Sequence, residues 1–175
     1  MSESPDKVSV IHYPDPRLRQ VCEPVTDFNG ELAELAQEML RVMREDRGVG
    51  LAGPQVGVLK RLFVMNVTGE DKDNRVFVNP VIRDRSGSAE AEEGCLSLPG
   101  INVNVRRAKR CLIEAQDLQG NPFTEEGEDL VARCWQHETD HLDGVMIIDR
   151  MGPTDRMATR KTLKDLEAGY AELRG

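Results

Sequence analysis

Residues 137–141 read His-Glu-Thr-Asp-His, and this pentad constrains the fold more than any other stretch of the chain. Imidazoles at i and i+4 share one face of an α-helix, from which both can reach a single metal ion. Glu138 follows the first of them, in the position of a general base beside two ligands. The chain has only three histidines, and two of them fall at this spacing. The pentad therefore predicts a helix with a metal site on it.

Around it the apolar pattern divides the chain. Helical character runs from about Glu128 to Leu142 and stops at Gly144. An earlier helix is predicted over 31–45, where Leu32, Leu35, Ala36, Met39, Leu40 and Met43 line one face before Gly48. A third is predicted over Thr154–Leu173, with Leu163, Leu166, Tyr170 and Leu173 at helical spacing. Short Val-, Ile- and Phe-rich runs predict strands at Arg61–Val67, Val76–Ile82, Ile101–Val105 and Cys111–Gln116. Pro80 marks an edge strand or a bulge. Gly48–Gly57 reads as a loop, residues 86–92 as a small acidic link, and Asp117–Asn121 as a turn. Strands that follow one another without helices between them predict an α+β fold with antiparallel pairing. One domain over residues 1–175 is expected, with 1–7 as a flexible lead-in.

Charge and cysteine usage narrow the function. Acidic residues number 31 and basic ones 23, a net of −8, which argues against a DNA-binding protein. No window approaches the ~18 apolar residues of a membrane span. The opening MSESPDKVSVIHYPDP has no basic stretch followed by an apolar run, so no export signal is read there. Cys22, Cys95, Cys111 and Cys134 are scattered, and reduced thiols in a cytoplasmic protein are expected.

The third ligand discriminates among proteins with two histidines at this spacing. Ile147 stands where the extended protease pattern has a third histidine. Glu167 and Glu172 lie on the charged terminal helix, and His12 is followed by the turn Tyr-Pro-Asp-Pro. Cys95 is the strongest candidate, between Gly94 and Leu96 in a segment of small residues. A Cys-His-His set keeps a fourth position open, as a catalytic site requires. Cys22, Cys111 and Cys134 read as free thiols; Cys134, one turn before His137, is placed to line the pocket. Trp135 reads as a packing residue on the far side of the helix.

Three segments in order, Gly48-Val-Gly-Leu-Ala-Gly-Pro-Gln55, Glu93-Gly-Cys-Leu-Ser97 and Gln136-His-Glu-Thr-Asp-His-Leu-Asp-Gly144, resemble the peptide deformylases. Tyr13-Pro-Asp-Pro-Arg-Leu-Arg19 is similar to the opening of that family, so the likeness spans roughly residues 8–150. The resemblance implies removal of the formyl group from N-formylmethionyl nascent peptides. It implies antiparallel strands packed around a central helix bearing the pentad, with an N-terminal and a C-terminal helix. By position it assigns Cys95, His137 and His141 to the metal and Glu138 to proton transfer. It assigns Gln55 and the Leu96 N–H to the oxyanion, and Gly50 to the substrate main chain. Val49, Leu130 and Cys134 are candidates for the methionine pocket, and Glu93 pairs with Arg107. The implied cofactor is one divalent ion, iron(II) first, with zinc, nickel or cobalt as alternatives. Two positions depart from the pattern. Gly53 replaces a usual Ala, where a small change in loop stiffness is expected. Arg133 replaces a residue that is apolar in some members, and is expected to narrow or polarise the methionine pocket. Arg156, Arg160, Lys161, Lys164 and Arg174 form a basic run on the terminal helix, a solvated face or a contact for ribosomal RNA.

Overall fold

Asn29 starts the first helix, its side-chain oxygen accepting the Leu32 N–H at 3.1 Å. In the computed structural model, which describes residues 7–174, helix α1 then runs Gly30–Glu45. The expected lead-in lies outside the described residues except for Lys7. Leu32, Ala36, Met39, Leu40, Val42 and Met43 are buried along one face of α1, as the spacing predicts. That face packs on a sheet of β1 (Gly50–Ala52), β2 (Leu62–Met65), β3 (Arg75–Ser86), β6 (Arg110–Gln116) and β7 (Pro122–Glu128). These strands are antiparallel neighbours in the order β1-β2-β3-β6-β7. A separate antiparallel pair consists of β4 (Ala89–Gly94) and β5 (Asn102–Arg107).

Three strands escape the sequence reading, each for a physical reason. β1 is three residues long and lies inside the glycine-rich segment. β4 and β7 are rich in glutamate, a poor strand former, and are held by their partners. β7 is an edge strand whose register sets Arg110 opposite Glu128, and Arg75 bonds Glu125. Carboxylates along an open edge also discourage pairing with another chain. Pro80 lies in β3, an inner strand, so the edge alternative is overturned and the bulge stands. The register with β6 shifts between Val78 and Val81. Asn79 there has φ 52°, and its side chain accepts the Val25 N–H at 2.8 Å and donates to the Val25 carbonyl at 2.9 Å.

Helix α2 (Asp129–Leu142) carries the pentad. Its apolar side, Ala132, Trp135 and Leu142, joins Phe63, Phe77 and Ile113 of the larger sheet in one core. Trp135 meets Phe77 edge-on, with ring centroids 5.9 Å apart. Helix α3 (Pro153–Arg174) lies farther out and buries only Thr159. Leu163 and Leu166 pack half-buried on the cluster of Leu98, Ile101, Val103 and Val105, whereas Leu173 is exposed.

The turn after β1 has a tighter constraint than its sequence suggests. A Cβ at Gly53 would lie 2.7 Å from both the Lys60 and the Val58 carbonyl oxygens. These are backbone atoms, so a side chain at position 53 is opposed sterically as well. Gly53→Ala, although it restores the usual residue of the motif, should lower stability by about 1–3 kcal/mol through overpacking. A urea midpoint that falls at unchanged m checks this, and an unmoved midpoint contradicts it.

Candidate active site

One cleft of about 520 Å³ opens between the two sheets over α2. Cys95 lines it from the turn after β4 and His137 from α2, and His141 lies buried one helical turn further on. One donor atom from each of the three lies within 4.8 Å of the others, and Cys95 Sγ is 3.4 Å from His141 Nε2. The other candidates for the third position are elsewhere. His12 and Glu172 are exposed, Glu167 accepts a hydrogen bond from the Tyr13 hydroxyl, and Ile147 is buried in the core.

The donor set fits a divalent cation. Burial holds His141 neutral, its pKa well below the usual value, with the charge of His137 acting in the same sense. Burial also works to lower His137, but the hydrogen bonds it donates to Cys95 and Glu93 and the charge of Glu138 raise it to about 10. The groups around His137 thus demand positive charge at that point, which a cation satisfies. Glu93 Oε1 is 2.8 Å from His137 Nδ1. A carboxylate only accepts, so Nδ1 carries a proton, and Nε2 is the atom that an ion would take by displacing its proton. His141 Nδ1 is buried without a protein partner.

Glu138 is buried on the same helix, and its Oε2 has no hydrogen-bond partner. Burial pushes its pKa up to about 7, against the lowering influence of His137 and Arg107. Gly50 is what lets β1 approach so closely. A Cβ there would come within 2.9 Å of Cys134 Sγ and of Glu138 Cγ. Gln55 lies in the turn Gly53–Val56, and its Oε1 accepts the Ala52 N–H at 2.9 Å. Its Nε2 is thereby aimed at Cys95 Sγ, 3.5 Å away, and at Ser97 Oγ, 3.3 Å away. Leu96 lines the cleft beside Cys95, and the Leu98 N–H donates to the Cys95 carbonyl at 2.9 Å to fix this turn.

Val49, Gly50, Leu130 and Cys134 all line the cleft. Leu130 is 53% exposed at the rim, and Cys134 is buried, its thiol held protonated by burial and the nearby Glu138 charge. The Glu93–Arg107 pair is present and larger than the sequence suggests. Arg107 donates to both Glu93 oxygens, at 2.6 and 2.9 Å, and to Asp140 Oδ2 at 2.9 Å. Asp140 also takes two hydrogen bonds from Arg150. Arg133 lines the same cleft. Its guanidinium is bound to Glu93 and to two backbone carbonyls. Ser97 and Asp140 were not singled out in the sequence. Arg133, His137 and Asp140 stand at i, i+4 and i+7, and that shared helical face was the available signal.

Burial alone would raise Glu93, yet hydrogen bonds from His137 and Arg107 and their charges hold it well below the usual carboxylate range. The unfolded chain therefore takes up this proton at higher pH than the native one. The contribution is complete above the ordinary value of 4.5 and fades as pH falls below it. Glu93→Gln should cost about 3–5 kcal/mol near neutral pH by leaving buried arginines underpaired. Its deficit in urea unfolding should narrow between about pH 5 and about pH 3; a constant deficit would contradict the assignment.

Known proteins share both the sequence and this architecture. The pattern of the polypeptide deformylase family matches residues 7–157. A peptide deformylase of Chromobacterium violaceum is 42% identical over 160 residues, covering 91% of this chain and 96% of that protein. One of Acidobacterium capsulatum is 45% identical over 163 residues, with coverage of 91% and 96%. Among solved structures, peptide deformylase of Plasmodium falciparum superposes with a TM-score of 0.93 at 35% identity, over 95% of this chain and 99% of that one. That of Legionella pneumophila gives 0.86 at 42% identity, over 93% and 96%. With the family pattern matched over most of its length and relatives above 40% identity, the chain belongs to the peptide deformylase family.

Proposed function

We propose that this cleft hydrolyses the formyl group from the N-terminal N-formylmethionine of nascent polypeptides and releases formate, with Glu138 carrying the proton. The observation that carries the reading is the meeting of Cys95, His137 and His141 beside a buried glutamate oxygen that has no partner. Those three residues would hold one divalent ion, which supplies Lewis acidity toward water and toward the formyl oxygen.

The remaining steps belong to side chains and backbone. Gly50 and the β1 edge hold the substrate main chain, while Val49, Leu130 and Cys134 receive the methionine side chain. Glu138 accepts a proton from the attacking water. As negative charge grows on the formyl oxygen, Gln55 Nε2 and the Leu96 N–H donate to it. Glu138 then returns the proton to the departing amine, so one carboxylate serves twice. Glu93 keeps His137 in the tautomer that ligates.

We assign iron(II) from the family likeness; zinc, nickel and cobalt suit the same thiolate and imidazole donors. The four free thiols support work in a reducing compartment, the cytoplasm, as a single domain over the whole chain. No described helix is long and apolar enough to cross a membrane. Arg156, Arg160, Lys161 and Lys164 are exposed along α3, and we assign them to ribosomal RNA near the emerging substrate. Deleting 154–175 should then abolish co-sedimentation with ribosomes; undiminished co-sedimentation removes α3 as the anchor.

Formate release from N-formyl-Met-Ala-Ser, with the iron(II) form kept from oxygen, tests the activity. Glu138→Ala should retain its metal and lose about 10²–10⁴ in kcat. Gln55→Leu should lose about 10²–10³. Turnover at wild-type rate in either metal-loaded variant removes that residue from its role.

A further inference from the structure

We infer that Arg133 is a positioning residue that sets the separation between Cys95 and the two histidines; this rests on the metal-ligand reading above. The three donors stand on two different units. Cys95 follows β4, which pairs only with β5, whereas the histidines ride on α2 against the five-stranded sheet. No ladder of hydrogen bonds joins the two sheets among the described residues. The cysteine-to-histidine distance is therefore fixed by how the β4–β5 pair seats on α2.

Arg133 grips that seat at three points. Nη1 donates to Glu93 Oε2 at 2.6 Å and to the Val105 carbonyl at 2.8 Å, and Nη2 donates to the Ala89 carbonyl at 2.8 Å. Ala89 opens β4, and Val105 lies on β5 opposite Ala91. One planar guanidinium thus holds both strands together with the carboxylate that orients His137. Its donors form a rigid fork that the point charge of lysine cannot reproduce. The side chain is 12% exposed, so water replaces few of these bonds once they are lost. Arg107 makes the reciprocal clamp, reaching from β5 to Asp140 on α2. An apolar residue at 133 would leave the seat to Arg107 and the Glu93–His137 contact, with no side chain gripping the β4 and β5 backbones, and Cys95 would shift against His137 and His141.

Cobalt(II)-loaded protein tests this, because absorption from the thiolate-to-cobalt transition reports the Cys95 bond. Arg133→Leu should release cobalt to a chelator about 10–100 times faster than wild type. Its thiolate band should shift, and kcat should fall with KM for N-formyl-Met-Ala-Ser near the wild-type value. Arg133→Lys should recover part of the retention. A folded Arg133→Leu with wild-type release and band overturns the proposal. So does a rise in KM alone, which would make Arg133 a pocket wall. If Arg133→Leu does not fold, Arg133→Lys carries the test, and wild-type release and band there overturn it. Wild-type protein that takes up cobalt yet releases no formate would remove the deformylase reading and leave this inference standing.

Discussion

A carboxylate taken out of water must be paired, and Glu93 is paired three times. Arg107 holds both of its oxygens, Arg133 one of them, and His137 Nδ1 the other. Buried ion pairs of this kind add little net stability compared with apolar residues of similar shape. Their value here is geometric. An apolar residue at 93 would pack, but it would free the His137 ring to rotate and leave the choice of tautomer open. Arg107 extends the arrangement to Asp140, and Asp140 extends it to Arg150 just before α3. Orientation of the His137 imidazole is therefore set by charges contributed from β4, β5, α2 and the entry to the terminal helix.

Helix α2 answers two demands that an ordinary amphipathic helix does not meet. Its apolar side supplies the core of the larger sheet, as Trp135 and Leu142 illustrate. The opposite side is also covered, by β4 and β5, and there it carries Arg133, Gln136, His137 and Asp140. A polar face can be buried only when its groups find partners. Gln136 does so with the Ala108 backbone, accepting its N–H at 3.1 Å and donating to its carbonyl at 2.9 Å. Close approach needs glycine on the other side as well. At Gly50 and Gly127 a Cβ would collide with Glu138 and with the Trp135 ring.

The parts of this structure legible in sequence are those encoded locally. The pentad, the face of α1 and the four apolar strands are periodic over a few residues, and they stand where periodicity puts them. Strands β4 and β7 are not periodic in hydrophobicity, because glutamates fill them and their partners supply the pairing. The site divides along the same line. Cys95 could be singled out from residue chemistry because the inventory of soft ligands is short. The family likeness draws attention to Arg133 but not to its contacts, since its partners Ala89 and Val105 are 44 and 28 positions away and are backbone carbonyls without residue identity. Side chain to backbone contacts over such separations leave no pattern in one sequence.

Glu138 brings these threads to the chemistry. A residue that first takes a proton and later returns it works best with a pKa near the operating pH. A surface glutamate is too weak a base for the first task. Burial under Gly50, away from water and with one oxygen unpartnered, lifts this one to about 7 in the chain alone. A cation held by Cys95, His137 and His141 would act in the opposite direction, favouring the ionised form. The thiolate moderates that pull, because it offsets part of the ion's charge within the site. A set of three neutral imidazoles would leave the full charge facing Glu138 and depress its basicity further. Cysteine as the third ligand would therefore do more than complete the coordination: it would help a glutamate so close to a dication remain a usable base.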